Sequence, residues 1–373
     1  AGSLWTRDVQ HPNIVVHRLP RRYPRSLYRR PLTALGDKLA YRFWNTVLPW
    51  FTTGNHFDKS VFWRKPLLAI ATRLIDAHGI RHVIVSCAPL RNIHHLAALK
   101  KLRPIRAIAE VRDPWTWEAG YGWKLLNDRQ RAQEKAIEAA ALSAADLVLA
   151  PSENFISHLQ AAYPDLRERM VHLPHAVDPE DLPPRRATAG HATGLRLIMA
   201  GSFYDRPHSR AFLAVLARSV VAIERGATAR KVRVDIHATV APPAEFVEAV
   251  HAEGAEQLVR FLPAVPSAEL YARLQQADLA LGFHPPERRD LVATKFSEYL
   301  LLGVPVLFVS EPGRASQFIE ARQGGLCVPL ERLPQTLEQL AAGNVHVPRP
   351  DPERAREFLL DALCDRLERE VLN

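Results

Sequence analysis

Lys295 and Glu298, three residues apart, are of the types that can bind a phosphate and a ribose. They lie in the stretch ATKFSEYLLLGVPVL, residues 293–307. On a helix, residues three apart share a face. A lysine beside the N–H groups of a helix N-terminus favours a phosphate, and a carboxylate one turn later can accept hydrogen bonds from a ribose diol. Taken alone, the same spacing equally suits a surface ion pair, so both interpretations stay open on this motif.

Two further groups of candidate residues follow predicted strands, which is where parallel sheets bind ligands. Gly201 and Ser202 come just after the first strand of the second half of the chain, where backbone can approach a ligand. Arg206 and Arg210 follow closely and can bind anionic oxygens. In the first half, the segment RDPW at 112–115 directly follows a predicted strand. Its arginine and aspartate suit either a cleft-facing site or a local ion pair.

The elements that must position these residues are short aliphatic runs that alternate with longer amphipathic segments, a pattern typical of parallel sheets with crossover helices. The first half predicts strands at 14–17, 82–86, 107–111, 146–150 and 170–173, and helices at 65–78, 92–101, 127–143 and 153–162. Residues 178–194, rich in Pro, Gly and charge, are predicted to be an interdomain linker. Strands then resume at 195–200, 232–237, 259–262, 279–283, 304–309 and 325–328. The sequence therefore predicts an α/β fold of two doubly wound, Rossmann-like domains that face each other across a cleft.

The composition is that of a globular protein. Its 373 residues are enough for two domains with separate cores. A content of 47% hydrophobic and 24% charged residues excludes a disordered, collagen-like or coiled-coil chain. The three cysteines lie far apart without a CxxC pair, which fits a reducing compartment without structural zinc. No apolar run approaches the ~18 residues of a membrane span. We therefore expect a cytoplasmic protein, at most peripheral at the inner face of a membrane.

The chain is basic, with 49 Lys and Arg against 40 Asp and Glu, a net charge of +9 and a pI near 9.7. This balance favours an anionic partner. An acid-free segment, 18–30, precedes the aromatic-rich stretch 41–51 and holds Arg18, Arg21, Arg22, Arg25, Arg29 and Arg30. It is interpreted either as a solvated loop or as a surface that docks on anionic lipid, with Trp44, Trp50 and Phe51 as apolar anchors. No nucleic-acid partner is expected, because no recognisable nucleic-acid module accompanies the charge.

The start of the chain is unusual for this pattern. A two-domain α/β chain of this kind opens with a strand, a glycine-rich turn and a helix. This chain begins AGSLWTRDVQHPN and reaches a single predicted strand before the basic loop. We therefore expect a truncated or processed chain whose first domain lacks its first βα unit.

From about residue 57 to residue 328, the sequence resembles the retaining nucleotide-sugar glycosyltransferases of family 4, the group 1 transferases of bacterial surface-polysaccharide pathways, and seven segments in order carry the resemblance. They are VIVSCAPLRNIHHLAALKK, IAEVRDPWTW, ADLVLAPSENF, VHLPHAVDPEDL, IMAGSFYDRP, VRFLPAVPSAELYARLQQADLAL and TKFSEYLLLGVPVL. The resemblance implies a glycosyltransferase B fold with an N-terminal acceptor domain, 1–185, and a C-terminal nucleotide-sugar domain, 195–350. It also implies a C-terminal helix, 351–373, that packs back across the cleft.

The resemblance assigns roles around the lysine and glutamate motif. Glu298 matches the second glutamate of the family's E-x7-E element and is expected to bind the donor ribose. Asp290 stands where the first glutamate would be, with a shorter side chain. Lys295 matches the lysine of the K-x-x-E-Y variant and is expected to face the diphosphate, with Thr294 beside it in the donor site.

Further roles fall on the strand-end loops. The family's arginine directly after the glycine of the GSFYDRP loop is Ser202 here, so Arg206 is the expected phosphate clamp and Arg210 its reserve. The backbone at Gly201 belongs to the same donor site. Asp113 falls at or next to a position where many relatives keep a histidine facing the sugar, and is expected to orient the acceptor or the sugar.

The implied activity is the retaining transfer of a hexose-type sugar from a nucleoside diphosphate to a glycan or lipid-linked acceptor, with no metal and no cofactor besides the donor substrate. Lys295, Arg206 and a helix N-terminus would neutralise the departing diphosphate. Two alternatives stay open: a non-catalytic glycosyltransferase-like subunit or scaffold, and a sugar-nucleotide 2-epimerase. Glycoside hydrolysis is disfavoured, because the pair of carboxylates that flanks the cleaved bond has no obvious counterpart.

Overall fold

The computed structural model describes residues 11–20, 22–28, 32, 34–117, 122–184, 194–201, 203 and 206–372. The chain divides into two compact units, Ala1–Leu173 (unit 1) and Pro174–Asn373 (unit 2). The domain boundaries expected near residues 185 and 350 stay predictions.

Unit 1 is built on a four-stranded parallel sheet. Its strands have the order β1-β2-β3-β4, and every neighbouring pair is parallel. The elements in chain order are α1 (Arg25–Tyr28), α2 (Leu35–Phe51), α3 (Arg64–His78), β1 (His82–Cys87), α4 (Asn92–Lys100), β2 (Arg106–Val111), α5 (Asp128–Ala144), β3 (Leu147–Ala150), α6 (Glu153–Ala162) and β4 (Met170–His172).

Local sequence signals set the ends of these helices. A capping box starts α5: the Asn127 side chain accepts from the Gln130 N–H at 2.9 Å, and the Gln130 side chain accepts from the Asn127 N–H at 3.1 Å. The hydroxyl of Ser152 accepts from the Phe155 N–H at the start of α6. Helix α3 ends at Gly79, whose φ of 61° lies in the left-handed region that glycine adopts without strain.

Unit 2 is built on a six-stranded parallel sheet of order β10-β9-β8-β5-β6-β7. The chain moves from β5 outward to β7 and then crosses to β8, so the strand order reverses between β5 and β8. The elements in chain order are β5 (Gly194–Ala200), α7 (Arg206–Arg225), β6 (Lys231–His237), α8 (Ala244–His251), β7 (Val259–Leu262), α9 (Ser267–Gln275), β8 (Leu279–Phe283), α10 (Thr294–Leu301), β9 (Val306–Val309), α11 (Arg314–Ala321), β10 (Gly325–Val328), α12 (Leu333–Ala342) and α13 (Leu360–Leu367).

The sheet of unit 2 is covered on both faces, which explains why its strands are nearly continuous apolar runs. Every residue of β8 and of β9 is buried. One face packs against α7, where Phe212 stacks on Phe283 with ring centroids 4.4 Å apart. The other packs against α10, where Phe296 and Tyr299 are fully buried. The predicted α/β fold of two Rossmann-like parallel sheets is confirmed.

The strand predicted at 14–17 is wrong, because these residues form no strand in the structure. The side chains of Ile14, Val15 and Val16 are 47%, 76% and 46% exposed. A β-branched run becomes a strand only when neighbours pair with its backbone and cover one of its faces. Residues 14–17 have no such cover among the described residues.

The single C-terminal helix predicted over 351–373 is also wrong. The structure has a 3-10 segment at Pro352–Phe358, then α13, then a π-helical turn at Glu368–Leu372. The break is at Leu359, which is extended with ψ 144°. It arises because the backbone here pairs with Val177: the Val177 N–H donates to the Phe358 carbonyl at 2.8 Å, and the Leu360 N–H donates to the Val177 carbonyl at 2.9 Å.

None of the described helices is long and apolar enough to cross a bilayer.

Candidate functional site

The candidate site lies in unit 2, at the carboxyl ends of β5, β6 and β8. Gly201 directly follows β5, with a φ of 120° that an L side chain rarely adopts. Its N–H donates to the His237 carbonyl at the end of β6, at 3.0 Å. The strand order reverses between β5 and β8, and at such a point open parallel sheets bind ligands in a crevice outside the carboxyl ends of the strands.

The amine of Lys295 reaches this crevice from the first turn of α10. A Cβ placed on Gly201 would lie 3.9 Å from Lys295 Nζ, so the sequence-predicted glycine and lysine are neighbours. Burial lowers the pKa of Lys295 to about 8, although the charge of Glu298 acts in the opposite direction. The N-cap residue Ala293 makes no side-chain hydrogen bond to the first turn of α10. A desolvated cation and a helix N-terminus together favour an anion.

Glu298 lies one turn after Lys295 and is held by a tyrosine. The hydroxyl of Tyr271, on α9, donates to the Glu298 carboxylate. Burial raises the pKa of Glu298, while this hydrogen bond and the charge of Lys295 lower it. The carboxylate therefore has a fixed direction and an acceptor capacity that one hydroxyl does not exhaust.

Two buried histidines at strand ends were missed by the sequence reasoning. His237, the last residue of β6, is 4% exposed, and its Nδ1 lies 3.2 Å from the Pro263 carbonyl. His284 follows β8 and is 3% exposed; burial, and then the charge of Lys295, lower its pKa to about 3. Among the described residues, His237 Nε2 and His284 Nδ1 have no hydrogen-bond partner. The signal that could have found them is a histidine at the carboxyl end of an apolar strand.

The two predicted arginines lie on α7. Arg206 is its first residue, 73% exposed, with Nε 3.6 Å from Glu245 Oε1 on α8. Arg210 follows one turn later and is exposed. Ser202 lies outside the described residues. The structure therefore places Arg206, the predicted phosphate clamp, at the start of α7 beside the acidic Glu245. To bind a phosphate, Arg206 would have to leave this neighbour.

Asp290 holds the start of another helix. Its Oδ1 accepts from the Arg314 N–H at 3.0 Å, at the first residue of α11, and its Oδ2 lies 3.9 Å from Arg289 Nε. Thr294, the first residue of α10, is partly buried beside Lys295. The structure thus gives Asp290 a helix-capping contact, whereas its predicted sugar contact stays a prediction.

The predicted residue of unit 1, Asp113, lies in the loop after β2. Burial raises the pKa of the Cys87 thiol, at the end of β1, to about 12, and the charge of Asp113 raises it further. Beyond Asp113, the Trp115 indole N–H donates to Glu134 Oε1 at 2.8 Å, and the Thr116 hydroxyl donates to Glu138. Two glutamates one turn apart on α5 therefore hold the loop that carries Asp113.

Glu134 also ties this loop to the segment between α2 and α3. It is fully buried and accepts from the Asn55 N–H at 2.6 Å and from Arg91 Nη2 at 2.6 Å. Burial raises the pKa of Glu138 to about 7, and the Tyr163 hydroxyl bonds to it. A sequence pattern of charged residues on a helix predicts a solvated face, and here that face is interior.

Beyond this site, the described part of the chain has a cavity and no cluster of candidate metal ligands. No group of three or more His, Cys, Asp or Glu among the described residues is arranged to hold a metal ion. A cavity of about 300 Å³ in unit 2 lies near Leu182, Gln275, Leu301 and Leu359. It is at the carboxyl end of α10, opposite to Lys295.

The sequence matches no known family model and no curated protein. Many solved structures match its fold. A glycosyltransferase from Rickettsia africae ESF-5 has a TM-score of 0.58 and 13% identity, over 82% of this chain and 80% of that one. The lipopolysaccharide outer core galactosyltransferase WaaB has a TM-score of 0.55 and 12% identity, over 84% of this chain and 81% of that one. The chain has the glycosyltransferase B fold.

A sucrose-phosphate synthase from Thermosynechococcus elongatus has the same fold, with a TM-score of 0.53 and 13% identity over 85% of this chain and 79% of that one. At these identities the likeness establishes the glycosyltransferase B fold, and residue roles rest on the geometry of the chain itself.

Proposed function

We propose that this chain is a glycosyltransferase that moves a sugar from a nucleoside-diphosphate donor to a glycan or lipid-linked acceptor, with retention at the anomeric carbon and without a metal ion. The glycosyltransferase B fold supports the transferase class. The motifs of the sequence support the retaining, surface-polysaccharide type, in a cytoplasmic protein.

One observation carries the proposal: the desolvated amine of Lys295 lies beside Gly201 at the point where the strand order of unit 2 reverses. The partly buried, desolvated amine has an acidic neighbour, Glu298, and a diphosphate would bring further negative charge to it. The N-terminus of α10 adds partial positive charge in the same place. The position, the charge and the backbone opening are those that a diphosphate requires.

The proposed chemistry follows from that placement. Lys295 and the helix N-terminus stabilise negative charge on the diphosphate as the bond from the anomeric carbon to the phosphate oxygen breaks. The acceptor hydroxyl forms the new bond on the same face and passes its proton to the departing phosphate oxygen. Glu298, held by Tyr271, accepts hydrogen bonds from the ribose hydroxyls. Asp113 orients the acceptor or the sugar, and Arg206 clamps the phosphate after leaving Glu245.

A second candidate is a non-catalytic, glycosyltransferase-like subunit. The observation that favours it is the contact of Asp290 with the Arg314 N–H, which occupies one oxygen of the carboxylate expected to meet the sugar. Such a subunit would keep the fold without binding a donor.

A thermal-shift panel separates these candidates. UDP, GDP, ADP, dTDP and their common sugars are added to the wild type, to Lys295→Ala and to the control Lys65→Ala, an exposed lysine on α3. A ligand that binds only the folded state raises the free energy of unfolding by mass action, by about 2.7 kcal/mol at one hundred times its Kd, and the melting temperature rises with it. We expect one nucleotide to stabilise the wild type and Lys65→Ala, and not Lys295→Ala. If no nucleotide stabilised any of the three proteins, the non-catalytic subunit would be favoured.

We also propose that the acceptor is met at an anionic membrane face, which the basic segment 18–30 contacts. Of that segment, Arg18, Arg22 and Arg25 are described, and all three are exposed. Arg21, Arg29 and Arg30 lie outside the described residues. The positive charge of the segment favours contact with phosphate headgroups at low ionic strength, and salt weakens this contact.

A further inference from the structure

Helix α2 carries an apolar stripe on its outer face. Leu35, Leu39, Phe43 and Trp50 are 73%, 56%, 57% and 77% exposed, and their spacing places them on one side of the helix. Phe51, at the end of the helix, is 74% exposed. A surface helix ordinarily turns one apolar face inward and a polar face to water. The outer face of α2 departs from that rule.

The inner face of α2 is apolar as well and already has its partners. Leu48 is 1% exposed and packs with Tyr23 and Leu27, and Trp44 packs against the same cluster. Trp44, also predicted as an anchor, is partly buried and packs against this cluster outside the exposed stripe, so its role as an anchor stays a prediction. The anchors predicted at Trp50 and Phe51 remain, and Leu35, Leu39 and Phe43 extend the same surface.

The charges around the stripe have one sign. Lys38 and Arg42 are exposed, and each directly precedes a residue of the stripe. Between residues 11 and 57 the only acid is Asp37, against Arg18, Arg21, Arg22, Arg25, Arg29, Arg30, Lys38 and Arg42. A second copy of the chain docked through the same face would bring like charges together. An anionic lipid surface instead offers opposite charge and an apolar layer beneath it.

We propose that the outer face of α2 docks on an anionic bilayer. Leu35, Leu39, Phe43, Trp50 and Phe51 enter the boundary between headgroups and acyl chains. Lys38 and Arg42 extend their apolar stems along the stripe and place their charges on lipid phosphates. This deepens the membrane contact proposed above, and vesicle binding by α2 does not depend on donor binding in unit 2.

The test is vesicle co-sedimentation, without nucleotide, on phosphatidylcholine alone and on phosphatidylcholine mixed with phosphatidylglycerol. The variant is Leu39→Ser with Phe43→Ser. The control is Leu125→Ser with Val240→Ser, two apolar side chains that are 64% and 69% exposed elsewhere. We expect the wild type and the control to bind the anionic vesicles alike, and the α2 variant to bind about tenfold more weakly or worse.

Three results would overturn the proposal: no binding of the wild type to anionic vesicles, equal binding to neutral ones, or equal loss in the control variant. A wild-type dimer in lipid-free solution that the α2 variant abolishes would also overturn it, in favour of a second copy. Failure of the membrane proposal can be told apart from failure of the proposed function. The nucleotide should raise the melting temperatures of the wild type and the α2 variant equally, whether or not either protein binds vesicles.

Discussion

Lys295 is the residue whose protonation state should control nucleotide binding. Burial lowers its pKa from the usual lysine value to about 8, so the unliganded amine loses its charge above that pH. A bound diphosphate favours the charged amine and raises the pKa. Binding above pH 8 must therefore take up a proton, and we expect the affinity to fall by up to about tenfold per pH unit there.

Isothermal titration of the nucleoside diphosphate from about pH 7 upward, where a phosphate is already ionised, measures this slope. Below pH 8 the amine is charged in both the free and the bound state, so the affinity should be level. Lys295→Ala should bind weakly with no slope. An affinity for the wild type that stays constant as the pH rises through 9 would contradict the assignment of the phosphate to Lys295.

At the scale of elements, Glu134 joins α5 to three other parts of unit 1. It accepts from the backbone of Asn55 before α3, from Arg91 at the start of α4, and from Trp115 in the loop of Asp113. Glu134→Gln leaves the Arg91 guanidinium, 7% exposed, without its buried counter-charge. We expect a loss of about 3–5 kcal/mol in the free energy of unfolding, because breaking a buried ion pair strands one charge.

Urea unfolding of Glu134→Gln beside Asp76→Asn provides the comparison. Asp76 also pairs with an arginine, Arg103, through two hydrogen bonds of 2.6 Å, but the aspartate side chain is 52% exposed. Solvent screens an exposed pair, so its loss should change the free energy of unfolding little. Equal losses in the two variants would show that Glu134 does not act as a buried junction.

At the scale of the whole molecule, the two units should respond differently to a donor nucleotide. The site is built within unit 2, by the ends of β5, β6 and β8 and the start of α10. Hydrogen exchange with and without the stabilising nucleotide should therefore show its largest protection at 199–201 and 293–298. If the largest protection were instead in the sheet of unit 1, the donor site would lie in unit 1, and its assignment to unit 2 would be contradicted.

The strands of both units could be predicted because parallel, covered strands leave a local record: short aliphatic runs at regular intervals. The strands at 259–262, 279–283 and 325–328 have the predicted bounds. Residues 14–17 are a similar aliphatic run, but no neighbouring element among the described residues covers them, and they form no strand. The break at Leu359 depends on Val177, far away in sequence, so no local pattern could show it.

The candidate site was predictable where it is local in sequence and not where it depends on the fold. The spacing of Lys295 and Glu298, and a glycine after a strand, are local. The tyrosine that holds Glu298 comes from α9, and the imidazoles of His237 and His284 belong to other strands. The burial of Glu134 and Glu138 is likewise a consequence of packing, and two charged residues on a helix otherwise predict an exposed face.

The low pKa of His284 makes this ring a spectroscopic reporter of the site. Because burial and the neighbouring Lys295 hold the pKa at about 3, the imidazole stays neutral across the pH range in which the protein would be studied. Its ¹⁵N chemical shifts would then record tautomer and hydrogen bonding without a contribution from protonation. A ligand arriving beside Lys295 would thus be visible at one ring, assigned by comparison with His284→Gln, before any acceptor is known.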